Sequence, residues 1–246
     1  MDRLIYTALS GMQSSMNRQR VVASNMANAQ TTGFRAEVLD QRPVTIHGTT
    51  LDTRVMQQGE VRGALMNVAE IYQTGNELDV AMNGQAMMAV QGMDGSEAYT
   101  RRGDLQVSPS GLLTNGDGRP VIGYRGPITV PVGGQVTITP DGTILVTDPT
   151  VPDEPAQEAG RIKLVSWQGS EIAKGLDGLF RVKGDGVLPA DEEATVIIRS
   201  LEQSNVNASE VLIEMIDAQR MFAMRTKTIA AAREVDESGA QLMRIS

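Results

Sequence analysis

The chain has 246 residues and a formal net charge of -8, from 22 basic and 30 acidic side chains. An acidic surplus of this size argues against nucleic acid or an anionic membrane surface as a partner of the whole molecule. The absence of cysteine excludes disulfides, thiolate catalysis and most structural zinc sites.

Proline and glycine are unevenly distributed along the chain. All ten prolines and 23 of the 25 glycines lie between residues 31 and 200. Both residues favour turns and disfavour helix interiors, so the distribution predicts helical ends and a turn-rich middle. No run approaches the ~20 apolar residues of a membrane-spanning helix. Polar residues between positions 13 and 20 interrupt the apolar region that a cleaved signal peptide would need.

Residues 3 to about 28 are predicted to form a helix with one apolar stripe. Apolar side chains recur there in alternating steps of three and four, with only Gln19 out of place, which is the spacing of a heptad seam. The polar run that follows, with Gly33, is predicted to end the helix. Such a stripe needs a partner, and we expect an assembly interface made of Ile5, Leu9, Met12, Met16, Ala23 and Met26.

The region between the terminal helices divides into two parts. Residues 34–74 are predicted to be an extended connector with short strands. From 75 to 200, short alternating runs are separated by turn dipeptides such as Asn83-Gly84 and Asp94-Gly95, which predicts an all-β domain, either a sandwich or an open barrel. The proline-rich stretch 147–155 is predicted to be an exposed loop.

A second helix is predicted near the end of the chain, where the turns cease. Asn207 precedes Glu210 by three residues in a capping-box arrangement. The apolar stripe of this helix is expected to pair with the first helix, while Leu212 and Ile216 widen it towards a second chain. Arg225 interrupts the stripe and has to snorkel or pair with an acid. The expected interface positions are Val211, Leu212, Met215, Ala218, Phe222 and Ile229.

Residues able to carry catalysis are scarce. His47 is the only histidine and lies in the predicted connector, which argues against a Ser-His-Asp triad. Five of the ten aspartates of residues 75–200 precede a glycine, so turn chemistry explains these five without any activity. We therefore predict no catalytic residue, no cofactor and no metal site. A secreted β-fold carbohydrate hydrolase or binding protein is the alternative from a different class, because two carboxylates can suffice for glycoside hydrolysis.

Three motifs, in order along the chain, resemble those of the bacterial flagellar rod and hook proteins. Asn25, Asn28, Gly33 and Phe34 are the motif residues near the first helix. The opening Met-Asp-Arg and the chain length are most similar to the proximal-rod members. The motifs are 1–12 with 25–28 and 32–34, then 74–84 with 99–103, and finally 201–207 with 214–216 and 219–220.

The resemblance implies a structural, non-enzymatic axial subunit of the bacterial flagellum basal body that serves motility. It implies type III export in an unfolded state, without a cleaved signal peptide, and self-assembly in the periplasm. The implied partners are other flagellar rod proteins, copies of the same chain and the flagellar export apparatus. No membrane insertion and no small-molecule substrate are expected. A distal-rod or hook subunit is the alternative within the family.

The resemblance also implies an α+β fold. Paired N- and C-terminal helices would form a coiled-coil-like stalk, with a mainly antiparallel β domain outside it. The expected domains are 1–33 (N-terminal helix of the inner axial domain), 34–74 (extended connector), 75–200 (β-rich outer domain) and 201–246 (C-terminal helix of the inner axial domain).

Overall fold

The computed structural model describes residues 2–47, 52–131, 133–148, 155–184 and 186–244. Within them, helices α1 (Asp2–Ala27) and α2 (Ala208–Arg244) stand at the two ends of the chain with β-strands between them, so the fold class is α+β as predicted. The strands are β1 (Glu37–His47), β2 (Asp52–Ala64), β3 (Ile71–Gln73), β4 (Val80–Met82), β5 (Ala86–Gln91), β6 (Glu97–Thr100), β7 (Leu105–Val107), β8 (Leu113–Asn115), β9 (Ile122–Gly123), β10 (Gly126–Pro127), β11 (Gln135–Ile138), β12 (Thr143–Thr147), β13 (Gln157–Arg161), β14 (Leu164–Ser166), β15 (Ile172–Lys174), β16 (Phe180–Val182), β17 (Val196–Ile198) and β18 (Ser200–Glu202).

Contacts divide the chain into two compact units. The helical unit comprises Met1–Ala27, Glu37–Gly63 and Val206–Ser246. The β-rich unit comprises Asn28–Ala36 and Ala64–Asn205. Both units are therefore built from segments that are distant in sequence.

In the helical unit, α1 contacts α2 and also β1. Strands β1 and β2 pair as a two-stranded sheet of 11 and 13 residues, where the sequence predicts only short strands. A two-stranded ribbon is held by its backbone ladder and does not require one regularly buried face, so its alternation in sequence is weak. His47 is the last residue of β1.

Helix α2 begins where the capping box predicts. The Oδ1 atom of Asn207 accepts hydrogen bonds from the backbone N–H groups of Ser209 and Glu210, at 3.1 and 3.4 Å. The N–H of Val211 donates to the Asn207 carbonyl at 3.0 Å, which is the first bond of the helical ladder. Neither α1 nor α2, over its described residues, contains a segment long and apolar enough to cross a membrane.

The β-rich unit is built around a five-stranded antiparallel sheet in the order β14-β5-β6-β16-β15. A three-stranded antiparallel sheet has the order β11-β12-β13, and the other strands of this unit form pairs. Residues 149–154 of the predicted exposed loop lie outside the described residues.

Strand β5 places apolar side chains on both faces of its sheet. Met88 and Val90 lie in the larger core cluster, whereas Met87 and Ala89 pack in a second cluster with Tyr99. All five are fully buried. Burial on both faces explains why residues 86–90 form a continuous apolar run and do not alternate with polar residues.

Candidate functional site: two helix faces and a motif junction

The predicted apolar stripe of α1 is largely exposed in the monomer. Leu9 is 47% exposed and Met16 is 54% exposed. Ala23 is also exposed, and Met12 and Met26 are half-buried. The Ile5 side chain lies outside the described side chains. The helical unit thus leaves much of this stripe in solvent.

The face that α1 buries is a different one, rich in small polar residues. With about 3.6 residues per turn, the buried positions lie on the side of the helix opposite the apolar stripe. The Oγ atoms of Ser14 and Ser15 have no hydrogen-bond partner among the described residues. The buried α1 side chains are Ser10, Ser14, Ser15, Val21, Val22 and Asn25.

Gly11 and Arg225 bring α1 and α2 together at one point. A Cβ atom built on Gly11 would lie 3.5 Å from the guanidinium carbon of Arg225, which is ordinary van der Waals contact. Arg225 is half-buried, and its guanidinium packs against α1 at Gly11, which has no side chain. The sequence predicts that Arg225 interrupts the apolar stripe of α2. In the structure, the Arg225 side chain lies against Gly11 of α1.

Helix α2 has one inward and one outward apolar face. The inward face contains the buried residues Val211 and Ala218. The other apolar residues of this face are half-buried, namely Met215, Phe222, Ile229 and Ala232. The outward face exposes Leu212, Ile213, Ile216, Met224 and Val235, with Ile216 at 50%. Leu212 and Ile216 are the two residues from which the sequence predicts a wider stripe.

In the β-rich unit, one buried carboxylate joins residues from three distant segments. The Oε1 atom of Glu202 accepts from Arg35 Nη2 at 2.6 Å and from the Ala69 N–H at 2.7 Å. Its Oε2 atom accepts from Arg101 Nε at 2.6 Å. The side chains of Arg35, Arg101 and Glu202 are at most 2% exposed. We call these three residues the motif junction.

Arg101 is the more completely bonded arginine of the motif junction. Its Nη1 donates to the carbonyls of Gly84 and Ala86 at 2.9 and 2.6 Å, and its Nη2 donates to the Met82 carbonyl at 2.7 Å. Desolvation lowers the pKa of Arg101, and the Glu202 carboxylate opposes this shift. Arg101 therefore remains a cation that satisfies three backbone carbonyls and one carboxylate.

Gly33 packs directly against the backbone beside the motif junction. Its φ is +67°, and a Cβ atom there would lie 2.4 Å from the carbonyl carbon and oxygen of Arg101. The Gly33 N–H donates to the Glu202 carbonyl at 2.8 Å. Gly33 is six residues beyond the end of α1, so this close approach, and not a helix cap, explains the glycine.

The segment that follows Gly33 is fixed by side chains that bond its backbone. Asn205 accepts from the Ala36 N–H at 2.7 Å. Lys174 donates from Nζ to the Arg35 carbonyl at 2.8 Å, and the same Nζ lies 3.5 Å from the ring centroid of Phe34. The course of this segment is therefore set by individual contacts and not by regular secondary structure.

Asn25 and Asn28 also bond close to the end of α1. Within the helical unit, buried Asn25 accepts from the Glu37 N–H at 2.8 Å and donates to the Glu37 carbonyl at 3.0 Å, so it pairs with the first residue of β1. Within the β-rich unit, Asn28 Oδ1 accepts from the Thr31 hydroxyl at 3.1 Å. The sequence names both asparagines as motif residues, and the structure gives each a local bonding role.

Two of the turn aspartates, Asp94 and Asp177, have local partners that lower their pKa. Hydrogen bonds from Ser96 lower the pKa of Asp94, and the guanidinium of Arg181 lowers that of Asp177. A glycosidase general acid requires the opposite shift, because it must hold a proton near neutral pH. Among the described residues, no group of three or more possible ligands is placed to hold a metal ion.

Comparison with known proteins identifies the family. The chain is 42% identical over 252 residues to the flagellar basal-body rod protein FlgF of Escherichia coli (strain K12), with 100% of both chains covered. It belongs to the flagellar basal-body rod protein family. It is 40% identical to FlgF of Salmonella typhimurium, again over the full length of both chains. Identity to the rod protein FlgG of Bacillus subtilis is 29%, over 96% of this chain and 97% of that relative.

Three family descriptions match separate parts of the chain. They are "Flagella basal body rod protein" at residues 5–35, "Flagellar hook protein FlgE/F/G D1 domain" at 81–146 and "Flagellar basal body rod FlgEFG protein C-terminal" at 199–242. Each contains one member of the motif junction, respectively Arg35, Arg101 and Glu202.

The resemblance predicted from the motifs is therefore confirmed. The chain is a structural subunit of the flagellar basal-body rod and is located in the flagellum basal body. The distal-rod or hook alternative and the carbohydrate-active alternative are not favoured.

The sequence did not single out Arg35, and it named Arg101 and Glu202 only as members of longer motifs. Arg35 and Glu202 are 167 positions apart, so no local periodicity relates them. Arg35 and Arg101 each lie two positions from a motif glycine, Gly33 and Gly103, and this spacing could have drawn attention to them, whereas Glu202 has no such neighbour.

Proposed function

We propose that this rod-family chain is a subunit of the proximal rod, which polymerises through its terminal helices. The observation that carries the proposal is the exposed apolar surface on both helices, chiefly Leu9 and Met16 on α1 and Leu212 and Ile216 on α2. Contiguous apolar side chains in solvent favour association, because burial removes their surface from water. The partners would be copies of this chain and other rod proteins.

Helical polymerisation follows from the type of contact proposed. A surface on one subunit that meets a different surface on the next forms a heterologous contact, and repetition of a contact that does not close into a ring gives a helical filament. In this proposal the outward stripe of α1 packs against apolar helix faces of neighbouring subunits. The terminal helices then form a coiled-coil-like inner domain, with Ile5, Ala23 and Met26 also contributing to it.

The proposal also places the subunit in the periplasm after type III export without a cleaved signal peptide. Two features of the chain support this route. Polar residues interrupt the first apolar segment, and the helical unit combines segments from both ends of the chain, so α1 cannot complete its packing before the C-terminal helix is available. No catalytic role is assigned to the chain.

The decisive experiment compares two methionines that receive the same substitution. Met16→Asp places a charge in the exposed stripe of α1, whereas Met93→Asp places it on a turn of the β-rich unit, where Met93 is 89% exposed. We expect both variants to remain folded by circular dichroism. Met16→Asp should lose polymerisation, measured by sedimentation of assembled protein, and incorporation into basal bodies, while Met93→Asp should retain both.

The alternative result would overturn the proposal. If Met16→Asp assembled as well as Met93→Asp, the exposed α1 stripe would not be an assembly surface.

A further inference from the structure

The two arginines of the motif junction are not equivalent. Arg101 makes one bond to the Glu202 carboxylate and three to backbone carbonyls. Arg35 makes one side-chain bond, from Nη2 to Glu202, and its buried Nε and Nη1 have no hydrogen-bond partner among the described residues. Every guanidinium nitrogen of Arg101 has a hydrogen-bond acceptor, whereas only one nitrogen of Arg35 has an acceptor among the described residues.

Charge balance separates the two arginines further. Two buried cations share one carboxylate, so the motif junction holds an excess positive charge in a medium that disfavours it. Removal of Arg35 from this site leaves Arg101 and Glu202 as a neutral pair with their other bonds unchanged. Removal of Arg101 instead leaves three backbone carbonyls without their donor, and two of these carbonyls, those of Ala86 and Met82, belong to buried residues. Moving the Arg35 side chain out of the motif junction therefore costs less free energy than moving the Arg101 side chain out.

Individual contacts, and no strand ladder, hold the segment that contains Arg35. The N–H groups of Gly33 and Ala36 donate to the Glu202 carbonyl and to Asn205 Oδ1. The carbonyls of Phe34 and Ala36 accept from the N–H groups of Asn205 and Leu65, and Lys174 Nζ contacts the Arg35 carbonyl and the Phe34 ring. The strand core of the β-rich unit does not include these residues. Opening of this segment breaks these individual contacts but leaves the main apolar core in place.

We propose that Arg35 is a releasable latch. When its guanidinium leaves Glu202, the buried Nε and Nη1 donors gain hydration, and residues 33–36 detach while the β core stays folded. These residues connect α1 to the β-rich unit along the chain. The latch thus lets this connection loosen independently of global unfolding. This inference does not depend on polymerisation and is tested on the dilute, full-length monomer.

Amide hydrogen exchange measured by NMR at low, increasing urea concentrations tests the latch. We expect the N–H groups of Gly33 and Ala36 to exchange through a local opening with little urea dependence. The N–H groups of Val80 and Ala89, in the sheet core, should exchange only through global unfolding. Arg35→Met keeps an apolar stem but removes the unpaired donors, so it should slow exchange at Gly33 and Ala36 by about tenfold.

Two further variants provide the comparison. Arg101→Met should lower the urea midpoint of the whole β-rich unit, or prevent its folding. Lys163→Met removes a partly buried ion pair with Glu97, 2.7 Å long and outside the motif junction, and should leave exchange at Gly33 and Ala36 unchanged.

The decision rests on wild type and Arg35→Met, both of which are expected to fold. The latch is overturned if Gly33 and Ala36 exchange only with the global unfolding of Val80 and Ala89. It is equally overturned if Arg35→Met leaves their exchange rates unchanged or accelerates them.

Discussion

The β-rich unit and α1 of the helical unit bury different kinds of side chain. The β-rich unit fully buries large apolar residues such as Met82, Leu113 and Ile144 in its own core. Helix α1 buries Ser14 and Ser15 while Leu9 and Met16 stay in solvent. The first unit builds a fully buried apolar core within one chain, although apolar side chains such as Leu176 and Met93 remain exposed on it. The second leaves the apolar stripe of a helix in solvent, which is the physical basis for proposing that the helices carry assembly.

This contrast has a consequence for mutations. A substitution inside the β-rich unit should change the free energy of unfolding, because close packing tolerates little change in shape. A substitution on the outward helix faces should change assembly with little change in folding, as proposed above for Met16→Asp. Three further substitutions test this contrast, in order of decreasing expected effect.

Gly33→Ala should destabilise the β-rich unit most, by about 3 kcal/mol or more, because a Cβ atom 2.4 Å from the Arg101 carbonyl adds a backbone clash to the cost of a positive φ. The matched control is Gly75→Ala, whose φ is +80° with no atom within 4 Å of the added Cβ. It should cost only about 1 kcal/mol. Urea unfolding measures both, and equal losses would refute the close-approach explanation of Gly33.

Asn207→Ala should cost about 1 kcal/mol through loss of the α2 N-cap. Asn207 accepts from the Ser209 and Glu210 N–H groups, so its removal leaves both donors to solvent. We expect lower helicity by circular dichroism and a lower thermal midpoint for the helical unit. Asn83→Ala is a control on an exposed turn of the β-rich unit and should leave helicity unchanged. A helical signal that is the same in both variants would contradict the capping role.

Asp177→Asn should have the smallest effect, confined to acid conditions. Arg181 lowers the pKa of Asp177 in the folded protein, so the unfolded chain takes up the proton first as pH falls. The stabilisation is present above about pH 4, the range of a free aspartate, and is lost as pH falls through the lowered pKa.

The measurement for this prediction is the thermal midpoint between pH 5 and 2. Its decline should be shallower in Asp177→Asn than in wild type. Glu193→Gln, which removes an exposed carboxylate with no ion pair to the described residues, should follow wild type. If the thermal midpoint of Asp177→Asn declined with falling pH as steeply as that of wild type, the Asp177–Arg181 pair would not contribute to acid sensitivity.

Local patterns in the sequence predicted several elements well. Heptad spacing predicted α1 and α2, and Asn207 with Glu210 predicted the start of the second helix, because helix periodicity and caps depend on residues within a few positions of each other. Turn dipeptides located hairpins such as the one at Asp94-Gly95, where β5 meets β6.

Other features were beyond local patterns. The stripe of α1 was correctly described as apolar, but periodicity cannot say whether Leu9 and Met16 face the same chain or solvent. The lengths of strands β1 and β2 were underestimated, because the weak alternation of residues 34–69 does not indicate two long paired strands. Both features depend on what the folded chain places beside a segment.

The sequence by itself determined the family, the two terminal helices, the β-rich middle and the residues around Gly33 as a motif. Only the tertiary structure decided that Arg35, Arg101 and Glu202 meet at one buried carboxylate, and that α1 buries its serines and exposes its apolar stripe. Helix and turn propensities, and the spacing of apolar residues, depend on residues that are close together in the sequence. Ion pairs between positions 35 and 202, and the choice of buried face, arise only when the folded chain brings distant segments together.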